Sequence, residues 1–189
     1  MHEREIAILP LRGILVFPYM VIHLDVGRER SIAAIEQAML KDRRILLLAQ
    51  KDMEIDTPNT DDLYTVGTVA DIKQLLRLPG GTLRVLVEGL HRGKVLEFLT
   101  EEPYFKARIQ QITTTERMTS ELENMIRSLT HQFEEYARLG KKISPETIGT
   151  ILAVKEPGRM ADLIASHLNL KINDKQAILD ANRNAVING

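Results

Sequence analysis

Gly89-Leu90-His91-Arg92-Gly93-Lys94-Val95 is the nearest approach in this chain to a loop that cradles phosphate. Its glycines stand one residue too close together, and Val95 occupies the place of the hydroxyl that would reach magnesium. The stretch is also predicted to lie between strands, whereas a phosphate loop must present its N–H groups at a helix N-terminus. The five histidines, His2, His23, His91, His131 and His167, show no paired ligand spacing, and no serine sits in a Gly-x-Ser-x-Gly elbow. Ser144 near Lys141 and Lys142 has the composition of a serine–lysine pair, but Ser144-Pro145-Glu146-Thr147 reads more simply as a capped helix start. The acids within residues 52–62 have neither a calcium-loop spacing nor a helix-borne ligand pair. No catalytic, cofactor-binding or metal-ligating residue is therefore assigned.

Composition narrows the classes further. The chain has 189 residues, 44% hydrophobic and 27% charged, and its 25 Lys+Arg against 26 Asp+Glu give a formal net charge of -1. That balance makes no global electrostatic case for nucleic acid or an anionic membrane. With no cysteine there are no disulfides and no thiolate chemistry. No apolar run approaches a membrane span, and Met1-His2-Glu3-Arg4-Glu5 does not resemble a signal peptide, so the expected location is the cytoplasm.

The elements that must position any site fall into two halves, residues 1–115 and 116–189. Residues 6–9 form a short apolar run, Gly13 marks a bend, and residues 14–17 and 20–22 read as strands around Pro18. Ile32, Ile35 and Met39 then recur at helical spacing, with Arg28, Glu29 and Arg30 as a solvated first turn. Residues 45–49 read as a strand buried on both faces, and residues 52–62 as an exposed loop. Residues 66–78 and 82–90 make a long hairpin turned by Gly80-Gly81, and residues 95–99 and 105–112 complete six to eight strands. Many short strands with one helix predict a small closed or half-closed barrel. In the second half Leu122, Met125, Ile126, Leu129, Phe133 and Ala137 form one helical stripe ending at Gly140, and three shorter helices follow. The third carries Met160, Leu163, Ile164 and Leu168, the fourth Ala177, Ile178 and Leu179, and residues 182–189 have little pattern. The predicted class is α+β, a barrel followed by a helical bundle.

Several blocks carry a resemblance. Ile8-Leu9-Pro10-Leu11-Arg12-Gly13, Phe17-Pro18-Tyr19-Met20-Val21-Ile22, Val26-Gly27-Arg28-Glu29-Arg30-Ser31, Tyr64-Thr65-Val66-Gly67-Thr68-Val69-Ala70, Arg84-Val85-Leu86-Val87-Glu88-Gly89-Leu90 and residues 171–179 resemble, in order, the N-terminal domain of bacterial ATP-dependent Lon proteases. The resemblance implies a barrel of the pseudouridine-synthase-and-archaeosine-transglycosylase (PUA-like) type followed by a helical bundle. It also implies a non-catalytic domain that captures unfolded or degron-bearing proteins and helps hold a homohexamer together. ATP and magnesium would belong to an ATPase module, and hydrolysis to a Ser-Lys protease domain; neither set of motifs occurs in these residues. The departure is at the end, where the family runs into a long helix and residues 181–189 read poorly as its beginning, as if truncated.

Capture of unfolded chains calls for exposed apolar surface beside an open strand edge. The candidates are Phe17, Pro18, Tyr19 and Met20 in the first turn, and Leu78 and Pro79 at the hairpin tip. The rival expectation is RNA binding by a PUA-like domain, with Arg4, Arg12, Arg28, Arg30, Arg43, Arg44, Arg77 and Arg84 as its patch. Only four Phe and four Tyr are present as stacking platforms.

Overall fold

The computed structural model describes residues 2–112, 120–140 and 143–187. Six strands, β1 (Glu3–Leu11), β2 (Val21–Val26), β3 (Arg44–Ala49), β4 (Val66–Arg77), β5 (Leu83–Thr100) and β6 (Lys106–Ile112), form one sheet in the order β2-β5-β4-β3-β1-β6. The last strand also pairs with β5, so the ladder returns on itself through β5, β4, β3, β1 and β6. The pairing of β1 with β3 is parallel and the others are antiparallel.

The two strands expected at 82–90 and 95–99 are one continuous strand, β5, because each half has its own partner. Leu83 to Glu88 pairs with β2, and Arg92 to Thr100 pairs with β6. Register shifts at Val69/Ala70 and Ile72/Gln74 bend β4 along the way, the usual effect of a bulge. The hairpin tip forms as expected, with Gly80 and Gly81 at φ 89° and 90°. It is one residue longer than a two-residue turn, since the Leu78 N–H donates to the Thr82 carbonyl at 2.8 Å.

Two-sided burial explains the strand composition. Ile45 and Leu47 of β3 pack with Ala34, Ile35 and Ala38 of α1 (Glu29–Met39), while Leu46 and Leu48 pack into a second core with Ile6, Ile8, Phe105 and Ile109. Residues 14–17 correct the sequence expectation, because they are not a ladder strand. Gly13 at φ 70° and Pro18 bracket them, and the buried Val16 carbonyl accepts instead from the Thr68 hydroxyl at 2.6 Å. The loop at 52–62 is less free than its composition suggests. Arg28 donates to the Gln50 side chain, the Asp56 carbonyl and the Pro10 carbonyl, and so ties the loop to α1 and β1. The expected solvated reading of Arg28 is thereby corrected.

Helices α2 (Ser120–Gly140), α3 (Pro145–Leu152), α4 (Pro157–His167) and α5 (Ile172–Ile187) make up the second half. The expected boundary at residue 115 lies outside the described residues. Residues 182–187, read from sequence as patternless, continue α5. Phe133, Ile151, Met160 and Ile164 form the core shared by α2, α3 and α4. These helices do not form a free-standing bundle, because α4 and α5 also dock on the sheet. Ala165 and Leu179 pack with Leu15, Phe17, Ala49 and Val66, and the Gln176 amide donates to the Val66 carbonyl at 2.9 Å. At the centre of this junction Arg92 of β5 makes a bidentate pair with Asp162 of α4 at 2.7 Å per bond, and its Nε donates to the Leu179 carbonyl at 2.9 Å. Arg92 and Asp162 are only 5% and 3% exposed.

Removing one member of such a pair strands the other charge in the interior. Arg92→Met is expected to lower unfolding free energy by about 3–5 kcal/mol, with Arg92→Met/Asp162→Leu recovering most of the loss, measured by urea denaturation. Gly67→Ala tests the close passage of β4 over β3, where a Cβ would be driven into the Leu47 carbonyl. A loss of roughly 2–4 kcal/mol with unchanged m-value is the expected result.

Candidate functional site

The first turn is built around a proline and a close approach. Pro18 sits second and Tyr19 third in a turn closed by the Met20 N–H donating to the Phe17 carbonyl at 3.2 Å. Tyr19 takes φ 71°, the left-handed region that a type II turn requires at its third position and that non-glycine residues adopt at a cost. Two backbone bonds to Gly89 of β5 hold it there: Tyr19 N–H to the Gly89 carbonyl and Gly89 N–H to the Met20 carbonyl, both 2.8 Å. A Cβ at Gly89 would lie 2.5 Å from the Phe17 carbonyl oxygen, so only glycine permits the turn to lie this close to the strand.

The consequence is a split among the four expected contact residues. Phe17 is fully buried in the junction core and Pro18 is buried beside it, so these two are anchors rather than exposed contacts, a correction to the sequence expectation. Met20 is half-buried, packing against both the α1 core and the junction core. Tyr19 remains 44% exposed, with the Arg159 guanidinium of α4 at 4.6 Å from its ring centroid. Val21, 60% exposed, extends the apolar surface onto β2, which sequence reading did not single out. β2 ends the sheet order, so the side of it away from β5 is a strand edge.

The second expected group lies elsewhere. Leu78 is half-buried and Pro79 exposed at the hairpin tip. The register of β2 on β5 puts the turn beside Gly89 and the tip beyond Leu83. Six residues of strand separate them, roughly 20 Å. The structure does not bring the two groups together, though both flank the same β2–β5 pair.

Residues 89–95, expected between two strands, belong to one strand instead. Gly89 to Val95 lies inside β5, with no helix N-terminus to present N–H groups to a phosphate. Ser144 caps α3, its hydroxyl accepting from the Thr147 N–H at 3.2 Å; Lys141 and Lys142 lie outside the described residues. Among the described residues no group of three His, Cys, Asp or Glu side chains is placed to hold a metal. Burial lowers the pKa of half-buried His91 and, with help from the neighbouring Arg12, that of Arg28, whose donors are already engaged. Of the arginines expected as an RNA patch, Arg4, Arg12, Arg30, Arg77 and Arg84 pair with Asp42, Asp56, Glu102, Glu36 and Asp25. A cleft of about 600 Å³ between α1 and the 56–58 loop contains Arg28, Arg30 and Glu102. Arg30 and Glu102 are spent on each other at 2.6 Å, so they supply no acid/base couple.

Sequence reading missed Arg92, Asp162 and Arg159 as a group. Asp162 is the one acid of α4, but it stands on the side of the helix away from the Met160–Leu163–Ile164–Leu168 stripe, where a charge reads as solvated, and nothing in the sequence announced its partner 70 residues away.

A family model described as the ATP-dependent protease La (LON) substrate-binding domain matches residues 5–184. Lon protease of Desulforamulus reducens is 54% identical over 178 residues, 94% of this chain and 22% of that protein. Lon protease 1 of Bacillus subtilis is 49% identical over 178 residues, 94% of this chain and 23% of that protein. The chain thus spans less than a quarter of the length of these curated relatives. In fold it is similar to the N-terminal domain of Mycobacterium avium complex Lon protease, with TM-score 0.69 at 18% identity, covering 98% of this chain and 97% of that one. A Lon N-terminal domain protein from Xanthomonas campestris matches at TM-score 0.50 and 14% identity, covering 87% of this chain and 99% of that one. The family match runs from the first strand into the last helix, and the chain belongs to the Lon substrate-binding domain family.

Proposed function

We propose that this chain is the substrate-recognition part of an ATP-dependent Lon serine protease, and that it holds unfolded or degron-bearing polypeptides for ATPase and protease modules outside these residues. It contributes binding and no catalysis; ATP and magnesium serve the ATPase module. The whole protein works in the cytoplasm as a homohexamer. The ring of pairings through β5, β4, β3, β1 and β6 supports reading the sheet as a PUA-like barrel.

The observation that carries the recognition mechanism is the surface at Tyr19 and Val21 beside the edge of β2. An unfolded chain differs from a folded one in its free backbone groups and its exposed apolar side chains. A strand edge answers the first and an apolar patch the second. Tyr19 suits sequence-tolerant contact because it presents a large amphipathic ring at little conformational cost. Leu78 and Pro79, at the far end of the same strand pair, form a second contact for a longer segment.

Tyr19→Ser/Val21→Ser is expected to weaken binding of a denatured model polypeptide about tenfold, the effect of losing roughly 60 Å² of apolar contact. Leu78→Ser should have a smaller effect that appears only with long segments. Fluorescence anisotropy at two salt concentrations is the measurement, with circular dichroism showing the fold retained. Affinity for polypeptide should change little with salt; affinity for RNA that falls steeply with salt, unaffected by these substitutions, would support the RNA-binding reading instead.

A further inference from the structure

Arg28 is a half-buried cation without a counter-ion. Its bonds go to neutral oxygens: the Gln50 side chain at 2.7 Å, the Pro10 carbonyl at 3.0 Å and the Asp56 carbonyl at 3.3 Å. Among the described residues no carboxylate pairs with it, because Asp25, Asp56 and Glu102 are taken by Arg84, Arg12 and Arg30, and Glu29 is exposed and makes no ion pair. Its position adds to the imbalance. Arg28 stands at the capping position of α1 and supplies no side-chain cap, so the N–H groups of Glu29, Arg30 and Ser31 have no acceptor inside the helix. The positive end of a helix dipole is an unfavourable place for a cation. Burial and the charge of Arg12 both press the pKa of Arg28 down.

A second observation points the same way. Ser31 is the one polar member of the buried stripe of α1 that continues with Ala34, Ile35 and Ala38. It is 3% exposed, and its hydroxyl has no hydrogen-bond partner among the described residues. Ser31 and Arg28 stand in the wall between two cavities: the cleft of about 600 Å³ toward the 56–58 loop, and one of about 310 Å³ lined by Leu9, Leu11, Ile14, Leu24 and Val26. A buried hydroxyl and three N–H groups left unbonded beside an unbalanced charge carry a free-energy cost that one anionic acceptor would remove.

We infer that this is a binding site for the free C-terminal carboxylate of a polypeptide, with the last side chain in the smaller cavity. The inference rests on reading the chain as a polypeptide-binding domain, and adds to that reading a place and an end group. The carboxylate balances the charge of Arg28 and accepts from the N–H groups of α1 and the Ser31 hydroxyl. Arg28 acts through its charge, since its bonded N–H groups hold the loop. Inorganic phosphate has the charge but makes no use of an apolar wall, whereas a terminal residue carries carboxylate and side chain on one carbon. Strand β2 runs from Val21 toward the smaller cavity and ends at Val26 in its wall, so a segment laid along its edge in the parallel sense brings its C-terminus here.

The test is fluorescence anisotropy of the 189-residue chain with a short unstructured peptide that ends in leucine and is labelled at its N-terminus, as the free acid and as the amide. The acid is expected to bind at least about tenfold more tightly than the amide. Ser31→Ala should weaken the acid about fivefold and leave the amide unchanged, with no loss of thermal stability, because the hydroxyl bonds nothing in the free protein. Serine in place of the peptide's terminal leucine should also weaken binding. Equal binding of acid and amide overturns the inference and leaves polypeptide recognition standing. So does failure of both forms while a denatured polypeptide still binds; if that polypeptide fails as well, the reading beneath the inference falls with it. Inorganic phosphate that displaces the acid as effectively as unlabelled peptide would make this a free-anion site and overturn the inference too.

Discussion

The buried Arg92–Asp162 pair is the interaction on which the arrangement of this domain depends. Two charges removed from water gain stability only if their geometry is good and their other donors are satisfied. Here both conditions are met: two bonds at 2.7 Å join guanidinium to carboxylate, and Nε is taken by the Leu179 carbonyl. Those partners come from β5, α4 and α5, so the pair is complete only when sheet and helices are docked together. The apolar contacts around it, Phe17, Val66, Ala165 and Leu179, exclude water but are less directional. The ion pair therefore supplies the register of the junction, and the apolar residues supply most of its adhesion.

A second constraint follows from Gly89. Since the turn at Phe17–Met20 lies against this glycine, the sheet fixes which side chains of the turn point inward. Phe17 becomes part of the junction core, and Tyr19 is forced into a left-handed conformation that displays its ring. The exposed tyrosine is thus a product of the buried phenylalanine two residues earlier. An aromatic ring is displayed without loosening the core, because the residue that anchors and the residue that displays are different.

Much of this was readable from residue types. The apolar run at 45–49 signalled two-sided burial, Gly80-Gly81 signalled the hairpin, and Ser144-Pro145 signalled the start of α3. Residues 14–17 misled because apolar composition shows burial and not pairing; a segment can be buried with its carbonyl satisfied by a threonine hydroxyl. The α2 stripe misled in the opposite sense, since a six-residue apolar list looked like one face and was parts of two. Within the candidate site, Pro18 marked the turn but did not reveal that Phe17 and Pro18 face inward. That depended on Gly89, some 70 residues away and brought near by the β2–β5 register. Long-range close approach leaves no local signal beyond the presence of a glycine.

The two constraints meet on α4. Asp162 and Arg159 stand three residues apart, and residues so spaced lie on neighbouring positions of one helix surface. Asp162 is held by Arg92 of β5, while Arg159 lies over the ring of Tyr19, itself bonded through its backbone to Gly89 of the same strand. One helix and one strand are thereby joined twice, three residues apart on each: once by a buried ion pair and once through an exposed aromatic ring. The buried pair fixes where α4 lies, and that placement decides whether Arg159 reaches Tyr19. A polypeptide that binds over Tyr19 must either stack beside this guanidinium or displace it into water. Displacement costs about 0.5–1 kcal/mol at an exposed site. On the proposed reading, a cost that small would be met by substrates of varied sequence, and it would fall on α4, the helix that Arg92 holds in place.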